Sequence, residues 1–230
     1  MDSEKFSGLT GNQLKLIALI TMTIDHLGMM LFPRIKLLRI IGRIAFPIFA
    51  YMIAEGCQYT RNRKKYLFSM ASLAAVCQLV YFFATGSLYM SVLVTFSLSI
   101  GLIYLLDRYD PQQRGSQLSF FLGLSGVFFL CYMAHDVLFP KTDFGIEYGL
   151  WGVLLPVFTY WGAKRQKKLQ YFTVGLALLG LTWGGIQLFC LAAIPLIALY
   201  NGKRGKRKMK NLFYIYYPAH LVVIHFLSLL

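Results

Sequence analysis

The chain has 230 residues, of which 57% are hydrophobic, 16% aromatic and 14% charged, with a mean hydropathy of +0.59. Soluble domains carry about 25% charge, so this composition argues against a water-soluble globular enzyme. It also excludes a disordered chain, a collagen-like fibre and a disulfide-stapled secreted domain. The formal net charge of +14 does not mark a nucleic-acid partner, because Lys and Arg fall in short clusters between long apolar runs. Cys57, Cys77, Cys131 and Cys190 lie apart in apolar stretches with neither CxxC nor Cys/His ligand spacing. They read as buried free thiols, and no metal is predicted.

A helix needs about 20 apolar residues to cross the hydrocarbon core. In chain order the stretches that qualify are 12–32, 36–56, 65–85, 88–106, 117–139, 146–163, 168–183, 184–200 and 210–229. The seventh and eighth are short and meet at Thr182-Trp183-Gly184-Gly185, so they are two spans or one broken hairpin. About nine transmembrane helices are predicted, with eight and ten as the alternatives. Residues 1–12 are polar and the first apolar run is too long for a signal peptide, so no cleaved leader is expected. No repeat is visible and no stretch has room for a soluble domain. The sequence therefore predicts an all-α polytopic integral protein of the cytoplasmic membrane, with residues 1–230 forming a single transmembrane domain in the lipid bilayer.

Counting basic residues by side sets the orientation. With the N-terminus inside, Lys5 and the clusters at 61–65, 108–114, 164–168 and 203–210 place 17 of the 23 Lys and Arg in the cytoplasm. Arg34, Lys36, Arg39 and Lys141 fall outside, while Lys15 and Arg43 fall within spans. The asymmetry predicts a cytoplasmic N-terminus.

Ionisable groups inside spans are costly unless buried or paired, so they are the first candidates for function. In the first span Lys15 and His26 are eleven positions apart, which leaves an offset of only ~20° and a rise of roughly 16 Å. One helix face thus presents a cation at the inner rim and an imidazole at depth. Such a face suits a phosphate-bearing donor whose reactive end reaches a base. It equally suits a snorkelling lysine and a histidine hydrogen-bonded to a neighbouring helix. Asp25 adjoins His26 but diverges from it by about 100°, so the two are not a pair by spacing.

The second span carries Arg43 and Glu55, which differ by ~120° in phase and about 18 Å in depth. Pro47 is predicted to bend this helix near its centre. Arg43 stays charged and needs an anion, with an ion pair to Asp25 as the plain alternative. Toward the outer side, His135, Asp136, Asp143 and Glu147 form an acidic mouth suited to an amine, or simply solvated loop charges. The last span places His220 at a depth of ~15 Å, near the level of His26, with His225 further out. Tyr214, Tyr216 and Tyr217 read as an interfacial belt. No P-loop, no GxGxxG with a distant acid, no GxSxG and no HExxH occurs, so neither ATP hydrolysis nor a nicotinamide is indicated.

Five strings spread along the chain carry a family resemblance: LTGNQLKLIALITMTIDHLG (9–28), IGRIAFPIFAYMIAEG (41–56), DFGIEYGLWGVLLP (143–156), LYNGKRG (199–205) and FYIYYPAHL (213–221). Together they resemble the TraX family, whose namesake is linked to N-acetylation of conjugative pilin. That family is similar in turn to membrane acyltransferases, including acyltransferase family three and the lysosomal heparan glucosaminide N-acetyltransferase. Those enzymes carry a Lys or Arg, ten intervening residues and a functional His in the first span, and Lys15 and His26 match that spacing. Ser91 departs from the pattern, standing where an asparagine is expected.

The resemblance implies acyl transfer across the membrane from cytoplasmic acyl-CoA, most simply acetyl-CoA, to an extracytoplasmic amine or hydroxyl on a peptide, pilin or glycan. Lys15 would meet the donor's phosphates, and His26 would act as base or transient acyl carrier. Arg43 would stabilise an oxyanion or hold Asp25. Glu55, Asp143, Glu147, Tyr217 and His220 are the candidates for acceptor binding. The rival expectations are a small transporter or channel component and a non-catalytic membrane factor for pilus or conjugation assembly.

Overall fold

The computed structural model describes residues 8–205 and 210–228. Lys5, residues 206–209 of the basic run and the side chains of Lys210, Tyr214 and His225 lie outside the described residues. Two compact units divide the chain: Met1–Met52 with Leu176–Leu230, and Ile53–Gly175. The dividing points fall within helices α3 (Ala45–Tyr59) and α9 (Lys168–Trp183).

The first unit is built on α1 (Gly11–Met30), α2 (Lys36–Gly42), the start of α3 and the end of α9. A 3-10 helix (Gly185–Ala192), α10 (Ala193–Ala198) and α11 (Lys210–Ser228) complete it. Thr10 opens α1 with a capping box: its hydroxyl accepts from Gln13 N–H at 3.4 Å, and the Gln13 side chain accepts from Thr10 N–H at 2.8 Å. These bonds satisfy donors that a helix start leaves bare. Gly11 and Asn12 donate instead to the carbonyls of Lys203 and Arg204, at 2.8 and 3.0 Å. The basic segment after α10 is thereby tied to the head of α1.

Helices α1 and α2 approach closely because glycines stand at their contact. A Cβ on Gly28 would lie 2.7 Å from Leu38 Cβ, and one on Gly42 would overlap the Asp25 side chain. The helix is interrupted by a turn at Arg43–Ile44, between α2 and α3. Pro47 therefore does not bend one long helix at its middle, as its position in the apolar run predicts. It occupies the first turn of α3, where no intrahelical bond is lost by lacking an N–H. Gly184 and Gly185 have φ of 61° and 51°, values that glycine tolerates best, and they end α9 at the predicted break.

The second unit holds α4 (Arg63–Thr85), β1 (Tyr89–Met90), α5 (Val92–Asp107) and α6 (Arg114–Tyr132). It continues with α7 (Ala134–Leu138), β2 (Gly145–Ile146), α8 (Gly149–Lys164) and the start of α9. Helix α5 packs on α4, α6 and α8, with Phe96, Ile100, Ile103, Val153 and Leu155 buried in the core. The parallel pairing of β1 with β2 matches Tyr89 to Gly145 and Met90 to Ile146.

Helical segments stand at all the predicted stretches. Among the described residues, three are both long and apolar enough to cross a membrane: Lys36–Tyr59, Arg63–Thr85 and Arg114–Tyr132. Val92–Asp107, Gly185–Ala198 and Ile215–Ile224 are apolar but shorter. At 16 residues, α8 and α9 are each about 24 Å long, short of the ~30 Å hydrocarbon thickness. The predicted fifth span, 117–139, ends early because α6 stops at Tyr132 and α7 is separate. Phe68, Phe83 and Leu122 on α4 and α6 are well exposed, as apolar faces are when hydrocarbon surrounds them.

Candidate functional site

Polar side chains of α1, α2, the 3-10 helix and α11 converge on the C-terminal half of α1. Although adjacent, Asp25 and His26 turn to different partners. Asp25 is 9% exposed, and two guanidiniums hold its carboxylate. Arg39 Nη1 reaches Oδ2 at 2.7 Å and the Asp25 carbonyl at 3.3 Å. Arg43 Nη2 reaches both carboxylate oxygens at 2.5 Å. Arg43 also donates from Nε to the Arg39 carbonyl at 3.3 Å and from Nη1 to Gln187 Oε1 at 3.2 Å. The open question about Arg43 thus resolves geometrically toward the ion pair. Two guanidiniums on one carboxylate make a net cation, and both lie close enough to His26 to interact electrostatically.

His26 pairs with His220 of α11, Nδ1 to Nε2, at 3.0 Å. The other ring nitrogen of His220, Nδ1, lies 2.9 Å from the Tyr216 carbonyl oxygen. A carbonyl only accepts, so His220 Nδ1 carries the hydrogen. In a neutral imidazole the opposite nitrogen is then an acceptor, and His26 Nδ1–H must be the donor to it. The lone pair of His26 is consequently on Nε2. With both rings neutral, this chain of bonds sets the tautomer.

Aromatic groups hold the dyad in place. The Tyr216 ring stacks on His220 at 5.3 Å and 9°, and Tyr217 meets it edge-on at 5.7 Å. Thr23 Oγ1 donates to the Leu19 carbonyl at 2.9 Å, so the Tyr216 hydroxyl, 2.7 Å away, donates to Thr23. The face of α1 that leads from Lys15 to His26 passes through Leu19 and Met22. Those two form a cluster with Ala45, against which Phe49, Tyr216 and Tyr217 pack. Lys15 is half-buried near the head of this face.

The remaining candidates belong to the second unit. The Glu55 carboxylate pairs with Lys168 Nζ, both largely buried. Asp143 accepts from Ser87 Oγ at 2.5 Å and from Leu88 N–H at 2.8 Å. Those bonds, the Ser87 hydroxyl first, hold the Asp143 carboxyl below its ordinary pKa. Glu147 accepts from Val92 N–H at 2.7 Å and donates its own N–H to the Met90 carbonyl at 3.0 Å. Both acids therefore brace the pairing of β1 with β2 and the head of α5.

Sequence reasoning missed Arg39, which loop counting assigned to the outer side, and Gln187. The signal for Gln187 was a single amide in the apolar run GIQLFCLAAI. For Arg39 it was the spacing of four from Arg43, which puts both on one side of a helix.

A helical chain with apolar candidate spans and a partly buried Arg–Asp–Arg and His–His cluster is a membrane-type protein with polar groups inside its helices. It belongs to the TraX family: the family described as TraX protein matches residues 10–228. A probable fimbrial assembly protein FimC, serogroup H1, of Dichelobacter nodosus is 26% identical over 254 aligned residues, covering 92% of this chain and 93% of the relative. A Rickettsia prowazekii (strain Madrid E) protein described as uncharacterized is 55% identical over 38 residues, 16% of this chain and 15% of its own length. No solved structure matches.

Proposed function

We propose that this protein is a multi-pass enzyme of the cytoplasmic membrane, N-terminus inside, that transfers an acyl group from cytoplasmic acyl-CoA to an amine or hydroxyl acceptor. The observation that carries this reading is the His26–His220 bond, which leaves His26 Nε2 as an unprotonated nitrogen at depth. The acceptor's lone pair attacks the thioester carbonyl and its proton passes to His26 Nε2. The C–S bond then breaks, and the CoA thiolate leaves and regains a proton, giving the acylated acceptor and CoA thiol. While His26 holds the extra proton, His26 Nδ1–H can shift toward His220 Nε2, and the Tyr216 carbonyl steadies the charged pair. Lys15, on the same face as His26, meets donor phosphates at the inner rim, where the segment containing Lys203 and Arg204 is tied to α1. Family membership supports the reading, since the TraX name is linked to acetylation of a pilin.

The name of the Dichelobacter relative favours a second reading, a pilus assembly factor without catalysis. Purified protein incubated with labelled acetyl-CoA separates the two. Enzymatic CoA release or a labelled acceptor, lost by about 10²-fold or more in His26→Ala, supports acyl transfer. Wild-type turnover by His26→Ala refutes the base assignment, and inert wild-type protein that acetyl-CoA does not stabilise thermally leaves the assembly role.

A further inference from the structure

The donors of the Arg43 guanidinium are directed to Asp25, Gln187 and the Arg39 carbonyl, which makes it a scaffold. The donor this scaffold leaves unspent is on Gln187. That side chain is 8% exposed, and its Nε2 meets no oxygen or nitrogen acceptor among the described residues, only the Cys190 thiol. A buried amide without a strong acceptor is costly, so its persistence asks for a ligand. Its orientation is fixed: Oε1 must face the Arg43 donor at 3.2 Å, and the amide nitrogen is turned away from it. The 3-10 helix places Gln187 and Cys190 three residues apart, hence one above the other. Both are buried, while Ile186, Leu188 and Phe189 are exposed. The Cys190 thiol beside the amide is at most a weak acceptor.

Resting on the acyl-transfer reading, we infer that Gln187 Nε2 donates a hydrogen bond to the carbonyl oxygen of the acyl group in transfer. As the acceptor's lone pair adds to the carbonyl carbon, the C=O electrons move onto this oxygen, and the amide N–H meets the charge. When the C–S bond breaks, the carbonyl reforms and the CoA thiolate departs. Arg43 orients the amide through Oε1 and is itself held by Asp25. This explains a cation cluster that grips an uncharged amide.

The test is Gln187→Glu, which keeps an oxygen for Arg43 and removes the N–H donor. Turnover of acetyl-CoA is expected to fall about 10²-fold or more, with KM for acetyl-CoA and the melting temperature little changed. Turnover equal to wild type overturns the inference, because a residue that only holds Arg43 is preserved by glutamate. If Gln187→Glu does not fold, the wild-type infrared band described next decides alone: a carbonyl band no lower when bound than when free overturns the inference. A second readout uses wild-type protein with a non-transferable ketone analogue of acetyl-CoA carrying ¹³C at the carbonyl. Its infrared band is expected at lower frequency when bound and to move back in the variant; an identical band in both overturns the inference. Wild-type protein that neither binds acetyl-CoA nor turns it over removes the acyl-transfer reading itself. Wild-type turnover matched by Gln187→Glu removes only the role of Gln187.

Discussion

In each unit one carboxylate holds two cations. Asp25 takes Arg39 and Arg43, whose side chains are 28% and 12% exposed, whereas Asp107 takes Arg63 and Lys164, 46% and 49% exposed. The stoichiometry is the same and the solvent is not. Charge attraction grows as the surrounding dielectric falls, and an arginine cannot escape by losing its proton. The cluster at Asp107 sits where α4 begins and where α5 and α8 end, and its cations can return to water. The cluster around Asp25 forms inside the helix pair, beside the histidines, where its members have no comparable retreat. Ion pairs of the first kind bind helix ends. Those of the second kind fix the geometry of a site.

The largest effect is therefore expected from Asp25→Asn, which leaves two enclosed guanidiniums facing a neutral amide. Unfolding in detergent should show a loss of about 3–5 kcal/mol. Gly42→Ala attacks the same cluster from the backbone by driving a methyl into Asp25, and about 1–3 kcal/mol should be lost. Full stability in that variant would mean that α1 and α2 separate easily, contrary to the tight crossing. Asp107→Asn should cost less, because Arg63 and Lys164 regain water although the Asp107 side chain is itself only 8% exposed, and a loss matching that of Asp25→Asn would erase the contrast between the units.

The smallest effect concerns His135, fully at the surface after α6. Its Nδ1 lies 2.8 Å from Asp136 Oδ1 and its Nε2 lies 3.0 Å from the Thr142 carbonyl. Both nitrogens face acceptors, so the charged ring fits best. The hydrogen bond to Asp136, followed by that to Thr142, raises its pKa above the ordinary 6.5. This contact contributes fully below pH 6.5 and is lost as pH rises through the raised value. A ring titration followed by NMR should show an upward shift that shrinks in Asp136→Asn, leaving the smaller part that the Thr142 carbonyl supplies.

The helix positions were legible because a run of apolar residues between basic clusters leaves the backbone little choice in lipid. The break in the second span was harder to read. Pro47 signals a helix start as readily as a bend, and nothing in the local sequence marks the Arg43–Ile44 turn. Residue counts put His26 and His220 at similar positions along their helices, but the meeting of the two rings was not legible, because it depends on how α11 packs on α1. Which nitrogen is bare was not legible, because it depends on the Tyr216 carbonyl, a backbone atom one turn away. Arg39 escaped notice because charge counting treats every basic residue near a helix end as a loop charge. Asp143 and Glu147 looked like an open acidic mouth, but their acceptors are directed to backbone N–H groups that no composition rule reveals.

The most direct check on the account is the ¹⁵N spectrum of histidine-labelled protein in bilayers near neutral pH, with His26→Gln used to assign the ring. The expected result is a His26 signal with hydrogen on Nδ1 and a bare Nε2, coupled across the hydrogen bond to His220. A His26 ring protonated at Nε2 and uncoupled from His220 would contradict it.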